Sequence, residues 1–239
     1  MSPRSIAMKK VSVLFLLGLI CILFSCGKKE ADAGKGVITF VVGNVTLERG
    51  PEKSKAEVSK EIQKGDILVT DEGATAMIAF GENSSLLEIQ SGSRFRFDDI
   101  NSDKKFFQEK GRSWILSNKL VKGEGLSLGT PTTTAGVRGT KFYTSIVDDM
   151  TFICHCQGKV ELENSADHSK MIPTSDYLTV TKGAKTIVID KDDLLKIGIP
   201  YVHNHSEVNN SPVGERTNMK LEEFLKMQEL AKKKLAGKS

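Results

Sequence analysis

Two cysteines separated by a single residue, Cys154 and Cys156, are the first candidates for chemistry in this chain. Residues two apart in an extended strand point to the same face, so the two thiols would lie side by side. Adjacent thiolates supply half of the four-ligand set that zinc prefers. His203 and His205 could complete that set, because Pro200 gives the chain a place to turn back. The spacing therefore predicts a zinc site formed by these four side chains.

The same cysteines also fit an ordinary hydrophobic core. Met150 and Phe152 would share their strand face, and a reduced cysteine in a core behaves as a small hydrophobic residue. A disulfide within the pair is disfavoured, since Cα atoms two residues apart in a strand are about 6.6 Å apart, at the outer limit for such a bond. Buried core thiols and a metal-binding or redox pair are therefore both open interpretations.

The N-terminus indicates a third kind of chemistry, the attachment of lipid. Three basic residues precede an apolar run over residues 11–24, which is shorter than the roughly 20 residues of a membrane-spanning helix. The run ends in Leu-Phe-Ser-Cys, which is similar to the lipobox of bacterial lipoproteins; ordinary secretion and an uncleaved anchor are the alternatives. We expect residues 1–25 to be a lipoprotein signal peptide, Cys26 to carry the lipid, and residues 26–36 to form a tether.

The charge balance argues against a nucleic-acid partner. Three of the 34 basic residues precede Cys26, which leaves 31 basic against 30 acidic residues in the mature chain. Domains that bind nucleic acid concentrate basic residues on one face or along one helix. The glycine-rich segment around Gly136 also lacks the spacing of a phosphate loop, Gly-x-x-x-x-Gly-Lys-Ser/Thr. We therefore expect neither nucleic acid nor nucleotide as a ligand.

Short apolar segments separated by turn residues predict an all-β domain. Turn signals recur about every 8–12 residues from Val37 onward, which is typical of short strands. The segment Arg94–Asp98 alternates strictly, so that Phe95 and Phe97 should share one face. The charged stretch Arg49–Gln63 is expected to be a surface loop.

The segment from Ser127 to Tyr143 predicts a strand, a turn and a second strand. Pro131 fixes its own φ and favours an extended conformation for the residue before it. Two glycines flank the sequence Val-Arg and permit backbone angles that side chains resist. The arginine between them is expected to tie turns of the domain through its guanidinium donors. The residues that make up this motif are Thr130, Pro131, Ala135, Gly136, Val137, Arg138, Gly139, Thr140 and Phe142.

This motif closely resembles the signature of the FecR domain, which occurs in bacterial cell-surface signalling regulators and in many exported proteins. The Gly-Asp-x-Leu-x-Thr segment at residues 65–70 and the turn at residues 81–84 extend the resemblance to roughly residues 36–165. The resemblance implies a solenoid-like β domain, and a β-sandwich is the alternative. We assign residues 37–200 to this domain, with its signature at residues 130–142.

The C-terminal part divides into two by composition. Residues 201–217 are rich in Asn, Ser and Pro, which predicts a linker. Residues 218–236 are predicted to form a helix, because Leu221, Phe224 and Leu225 recur at helical spacing.

No constellation of catalytic residues is evident, so we expect a protein that is not an enzyme and needs no cofactor. In regulatory members of the FecR family the domain lies in the periplasm and relays the state of an outer-membrane transporter to a sigma factor. This chain lacks an anti-sigma segment before its apolar run, so direct sigma-factor regulation is not expected. The sequence predicts a lipoprotein of the cell envelope, anchored in the outer membrane and facing the periplasm, that binds an envelope protein or a glycan. The alternative is a metal-binding or redox lipoprotein that uses Cys154, Cys156, His203 and His205.

Overall fold

The structure, a computed structural model, describes residues 35–81, 85–118, 124–137, 139–173, 178–200, 205–208, 211 and 220–237. It is mostly β, with 55% strand and 12% helix, and ends in a short C-terminal helix. The predicted all-β class is therefore confirmed. The predicted signal peptide and Cys26 lie outside the described residues, as does most of the predicted tether.

Seventeen strands and two helices lie in the described residues. The strands are β1 (Gly36–Val42), β2 (Val45–Arg49), β3 (Glu52–Lys55), β4 (Glu61–Ile62), β5 (Ile67–Thr70), β6 (Thr75–Phe80), β7 (Ser85–Ile89), β8 (Arg94–Asp99), β9 (Asp103–Ser117), β10 (Gly125–Gly129), β11 (Thr133–Val137), β12 (Lys141–Val147), β13 (Met150–Gln157), β14 (Val160–Asn164), β15 (Lys170–Met171), β16 (Leu178–Lys182) and β17 (Lys185–Ile189). The helices are α1 (Lys191–Lys196) and α2 (Leu221–Leu235).

The strands form two sheets that share β9. Sheet A has the order β4-β1-β6-β7-β9-β12-β13-β16-β17. Sheet B has the order β3-β2-β5-β8-β9-β10-β11-β14-β15. The chain passes repeatedly between the sheets, and apart from the edge strands β4 and β3 the order within each sheet advances with the sequence, as in a solenoid-like winding. The sheets do not close into a barrel.

Strand β9 turns from sheet B into sheet A at Gly111. Its first half pairs with β8 and β10, and its second half pairs with β7 and β12. Gly111 has a φ of 84°, and an added Cβ would lie 2.4 Å from the Cα of Ser93, so only glycine fits this corner. Across the corner, the hydroxyl of Ser113 donates to the side-chain oxygen of Gln108 at 2.5 Å.

The first hydrophobic core fills the space between the two sheets. Phe80 of sheet A packs on Phe97 and Phe106 of sheet B. These two rings also contact Phe95, and the centroids of contacting rings are 5.3 to 6.2 Å apart. Phe95 and Phe97 are both fully buried on one face of β8, as the strict alternation predicts. Burial of each such side chain stabilises the fold by roughly 2–3 kcal/mol, which makes this cluster a main source of stability.

The second core lies on the outer face of sheet A and is covered by the helices. Trp114 and Phe152 of the sheet belong to the same buried cluster as Leu194 of α1 and Met227 and Ala231 of α2. Helix α2 is predicted over residues 218–236, and its observed bounds lie within that range. Neither helix of the described part of the chain has both the length and the apolar character that crossing a bilayer requires.

The stretch predicted as a surface loop contains two short strands instead. The side chains of β3 are all exposed, and this strand pairs with β2 at the edge of sheet B. The hairpin between β2 and β3 turns at Gly50, whose φ is 57°, and Pro51. Charged residues at a sheet edge discourage pairing with other chains, which accounts for a composition that resembles a loop.

Candidate functional site

One row of neighbouring residues crosses the outer face of sheet A, with successive members related by strand pairing. The row runs Phe40, Met77, Glu88, Trp114, Tyr143, Cys154 and Leu178. It is apolar except for Glu88, and it brings the predicted cysteine face next to two aromatic side chains. We take this face as the candidate functional site.

The two cysteines lie where strand alternation places them. Cys154 shares its face with Met150 and Phe152 in the second core, and Cys156 packs at the edge of that core. The two sulfur atoms are 3.6 Å apart, which is a contact distance and not the about 2.05 Å of a disulfide bond. The pair therefore contributes to the core while keeping its sulfur atoms adjacent.

His155 points to the opposite face of β13, as the alternation of side chains along a strand requires. Its ring lies between the sheets, where Nε2 is 3.0 Å from the hydroxyl of Thr179. Burial lowers the pKa of His155 to about 4, because the charged ring would lose its hydration. The ring is therefore neutral at physiological pH and belongs to the interior of the domain.

His205 lies on the outer face of sheet A. Its ring stacks on Tyr143 with centroids 4.3 Å apart and an interplanar angle of 15°, and its centroid is 5.4 Å from that of Trp114. Tyr143 is the strand neighbour of Cys154, so the chain brings His205 back to the sheet face that bears the cysteines. His203 lies outside the described residues.

The zinc site stays a prediction. Cys154, Cys156 and His205 share one sheet face, but no group of three or more Cys, His, Asp or Glu side chains within the described ranges is close enough to hold a metal ion. This face therefore carries two adjacent thiols and, stacked on the neighbouring Tyr143, the ring of His205.

A C-terminal strap, which we define as residues 205–208 and 211, crosses this face and is anchored by Glu88. The carboxylate of Glu88 accepts hydrogen bonds from the hydroxyl of Ser206 at 2.6 Å, the backbone N–H of Glu207 at 2.8 Å and the hydroxyl of Ser211 at 3.1 Å. Glu88 is fully buried. A buried carboxylate is tolerated only when its oxygens are hydrogen-bonded, so the strap and Glu88 depend on each other. These strap residues fall in the predicted linker.

A second set of contacts holds the side chain of Glu207. Arg112 of β9 forms a salt bridge with it at 2.5 Å, and the hydroxyl of Thr75 donates to it at 3.3 Å. The amide of Gln90 donates both to Glu88, at 3.0 Å, and to the backbone oxygen of His205. The strap is thus bound by polar contacts at its centre and by aromatic stacking at its N-terminal end.

Acidic residues are normally solvated, but two of them are buried in this domain. Glu88 anchors the strap, and Asp66 is only 1% exposed. Asp66 accepts two hydrogen bonds from the guanidinium of Arg49, at 2.7 and 2.8 Å, and one from the backbone N–H of Gln63 at 2.8 Å. The Gly-Asp turn before β5 was a usable signal for Asp66, whereas no local pattern marks Glu88.

The signature segment carries the chain from sheet B to sheet A. Thr130 closes the turn around Pro131, because its hydroxyl donates to the backbone oxygen of Thr133 at 2.8 Å. Its hydroxyl is also 3.1 Å from that of Thr151 in β13, and the hydroxyl of Thr132 donates to Thr151 at 2.7 Å. The turn of the signature is therefore fastened to the opposite sheet.

The second half of the signature fills the first core. Ala135, Val137 and Phe142 are buried between the sheets. Gly139 has a φ of 64°, and its backbone oxygen would lie 2.8 Å from a Cβ added at Gly158. Arg138, which was expected to tie turns together, lies outside the described residues. The described part of the signature thus acts by shaping the fold.

A family model matches the part of the chain that contains the signature segment. The family model described as FecR protein matches residues 66–161, from the turn before β5 into β14. Two crystal structures of a candidate anti-sigma factor from Parabacteroides distasonis are similar at 12% identity and a TM-score of 0.45, over 55% of this chain and 63% and 62% of the other. The alignment thus spans less than two thirds of that protein. No curated protein matches the chain. Residues 66–161 of this chain therefore match the FecR family model, and the match includes the whole signature segment at residues 130–142.

Proposed function

We propose that this protein is a non-enzymatic lipoprotein of the cell envelope whose FecR domain binds another envelope protein. The observation that supports it is the FecR match over residues 66–161, which includes the complete signature. The N-terminal sequence supports the anchor, because a short apolar run ends at Cys26 where lipid would be attached. Lipidation there would hold the domain at the outer membrane, facing the periplasm.

The outer face of sheet B is the surface we assign to the partner. The opposite side of the domain, the outer face of sheet A, is covered by the strap and α2. Sheet B instead presents a half-buried network of charges in which Arg94 pairs with Glu48 and Glu109, each at 2.9 Å. Beside it, the guanidinium of Arg96 lies 4.8 Å from the ring centre of Phe107. Arginine and aromatic side chains are enriched at protein–protein interfaces, which favours a protein partner.

Site-specific crosslinking in intact cells tests this proposal. A photoreactive residue in place of Lys105, on the outer face of sheet B, is expected to capture one envelope protein. The matched control is the same residue in place of Leu225, which is 51% exposed on α2, and it should capture none. In the same cells, Cys26→Ser should move the protein out of the membrane fraction and reduce the yield of crosslink.

Equal crosslinking from both positions would contradict the assignment of the binding surface. A carbohydrate adduct from position 105 would identify a glycan as the ligand instead. A Cys26→Ser variant that stays in the membrane fraction, with no lipid on the wild-type cysteine, would contradict the anchor.

A metal-binding lipoprotein is the second candidate, supported by the 3.6 Å separation of the two sulfur atoms and by His205 on the same face. If zinc binds there, the wild-type protein should take up one cobalt ion with the absorption of cobalt–thiolate bonds. The double variant His203→Ala/His205→Ala should lower the affinity at least about tenfold. The control is His168→Ala, an exposed histidine that pairs with Glu163. Absence of cobalt–thiolate absorption in the wild type would leave the cysteines as core residues.

A further inference from the structure

Four buried polar side chains at one end of the first core lack hydrogen-bond partners among the described residues. They are the amine of Lys104 and the hydroxyls of Ser85, Ser117 and Thr140. None of the four residues is more than 2% exposed, and Lys104 is fully buried. A buried ammonium without a counter-charge is among the costliest features a fold can carry, so Lys104 calls for an explanation.

The path of β9 places Lys104 opposite Ser117. The strand folds over at Gly111, and Gln108 and Ser113 touch across this corner. Side chains two residues apart on a strand point to the same face, so Phe106 and Ile115, each two residues further from the corner, also point toward each other. Both lie in the first core. Two residues further along the arms are Lys104 in sheet B and Ser117 in sheet A.

The other two hydroxyls lie beside Ser117 in sheet A. Ser85 of β7 is the strand neighbour of Ser117. Thr140, the last threonine of the FecR signature, accepts a hydrogen bond through its backbone oxygen from the backbone N–H of Ser117 at 2.8 Å. The facing walls at this end of the core therefore carry one ammonium and three hydroxyls.

The acidic groups near Lys104 in sequence are engaged elsewhere. Asp103 is 66% exposed and pairs with Lys105 at 3.6 Å. Asp99 pairs with Lys64 at 3.4 Å on the surface. All four buried groups can donate hydrogen bonds, and one of them carries a positive charge, so the ligand that suits them is an anion.

We propose that Lys104, with Ser85, Ser117 and Thr140, binds one small monovalent anion of the halide class between the two sheets. The complete burial of these side chains selects a small ion over a phosphate or a peptide carboxylate. Bound there, the anion neutralises Lys104 and links β7 and both arms of β9 to the end of the signature segment. Its effect is to stabilise the FecR domain, whatever partner that domain binds.

Thermal unfolding of the full-length protein in detergent tests the site. At constant ionic strength, replacing gluconate by chloride or bromide is expected to raise the Tm by about 5 °C, because the anion binds only the folded state. Lys104→Met should remove the dependence on halide, and so should Ser117→Ala if the methionine variant does not fold. Lys105→Met, its exposed neighbour, should retain the full shift. Crystals grown in bromide should show an anomalous peak beside the Lys104 amine.

Three results would overturn the proposal. A Tm that is the same in gluconate and in halide means that no anion binds. A halide shift that persists in Lys104→Met and Ser117→Ala places the ion at another site. A bromide crystal without a peak at Lys104 means that the amine is hydrated or neutral.

Discussion

Replacing Glu88 with alanine is expected to release the C-terminal strap and to lower the free energy of unfolding by about 3 kcal/mol. The carboxylate accepts hydrogen bonds from Ser206, Glu207 and Ser211, and the substitution removes all three of these bonds at once. Ser206 is 1% exposed, so water cannot replace the lost bond without movement of the strap. Unsatisfied buried donors of this kind cost about 1–3 kcal/mol each, which favours detachment.

Urea unfolding and limited proteolysis measure the two parts of this prediction. A protease specific for glutamate should cleave after Glu207 in the Glu88→Ala variant and spare that bond in the wild type. The control is Glu109→Ala, which removes a carboxylate that is 34% exposed and pairs with Arg94 and Arg96 on the surface. Ion pairs at the surface contribute about 1 kcal/mol or less to the free energy of unfolding, so the stability and the cleavage pattern of this control should stay near those of the wild type. Unchanged cleavage at Glu207 in Glu88→Ala would show that the strap does not depend on this carboxylate.

Gly111→Ala is expected to be the most damaging glycine-to-alanine change in the described part of the chain, lowering the free energy of unfolding by about 4 kcal/mol. The added Cβ would lie 2.2 Å from the hydroxyl oxygen of Ser93 and 2.4 Å from its Cα. Side-chain rotation can move the hydroxyl but cannot move the Cα, so β8 and β9 must separate. The positive φ of 84° adds a further cost of roughly 1–2 kcal/mol for any residue with a Cβ.

Gly183→Ala separates the cost of the positive φ from the cost of the steric clash. Gly183 also has a positive φ, of 52°, but nothing lies within 4 Å of an added Cβ. This control variant should lose only about 1–2 kcal/mol in its free energy of unfolding, which is the cost of placing a residue with a Cβ at a positive φ. Unfolding midpoints in urea compare the two variants, and recovery of soluble protein replaces them if Gly111→Ala does not fold. Similar losses in both would mean that the corner at Gly111 can relax.

Much of the fold could be predicted from local pattern. The alternation in β8 placed Phe95 and Phe97 in the first core, because side-chain direction in a strand depends only on the strand itself. The FecR signature and the C-terminal helix were likewise visible in short stretches of sequence. Arg49–Gln63 was wrongly predicted to be a loop because β3, which lies within it, is an exposed edge strand. A charged strand of this kind shows no alternation of apolar residues.

The sequence by itself determined which residues share a face, and only the tertiary structure decided which faces are covered. Alternation put Cys154 on the face of Met150 and Phe152, and it put Glu88 on the face opposite Leu87 and Ile89. An acidic residue on the outer face of a strand is normally solvated. Glu88 is buried because Ser206, which is 118 residues away in the sequence, returns to cover it. Burial depends on contacts between distant segments, and no short-range pattern encodes them.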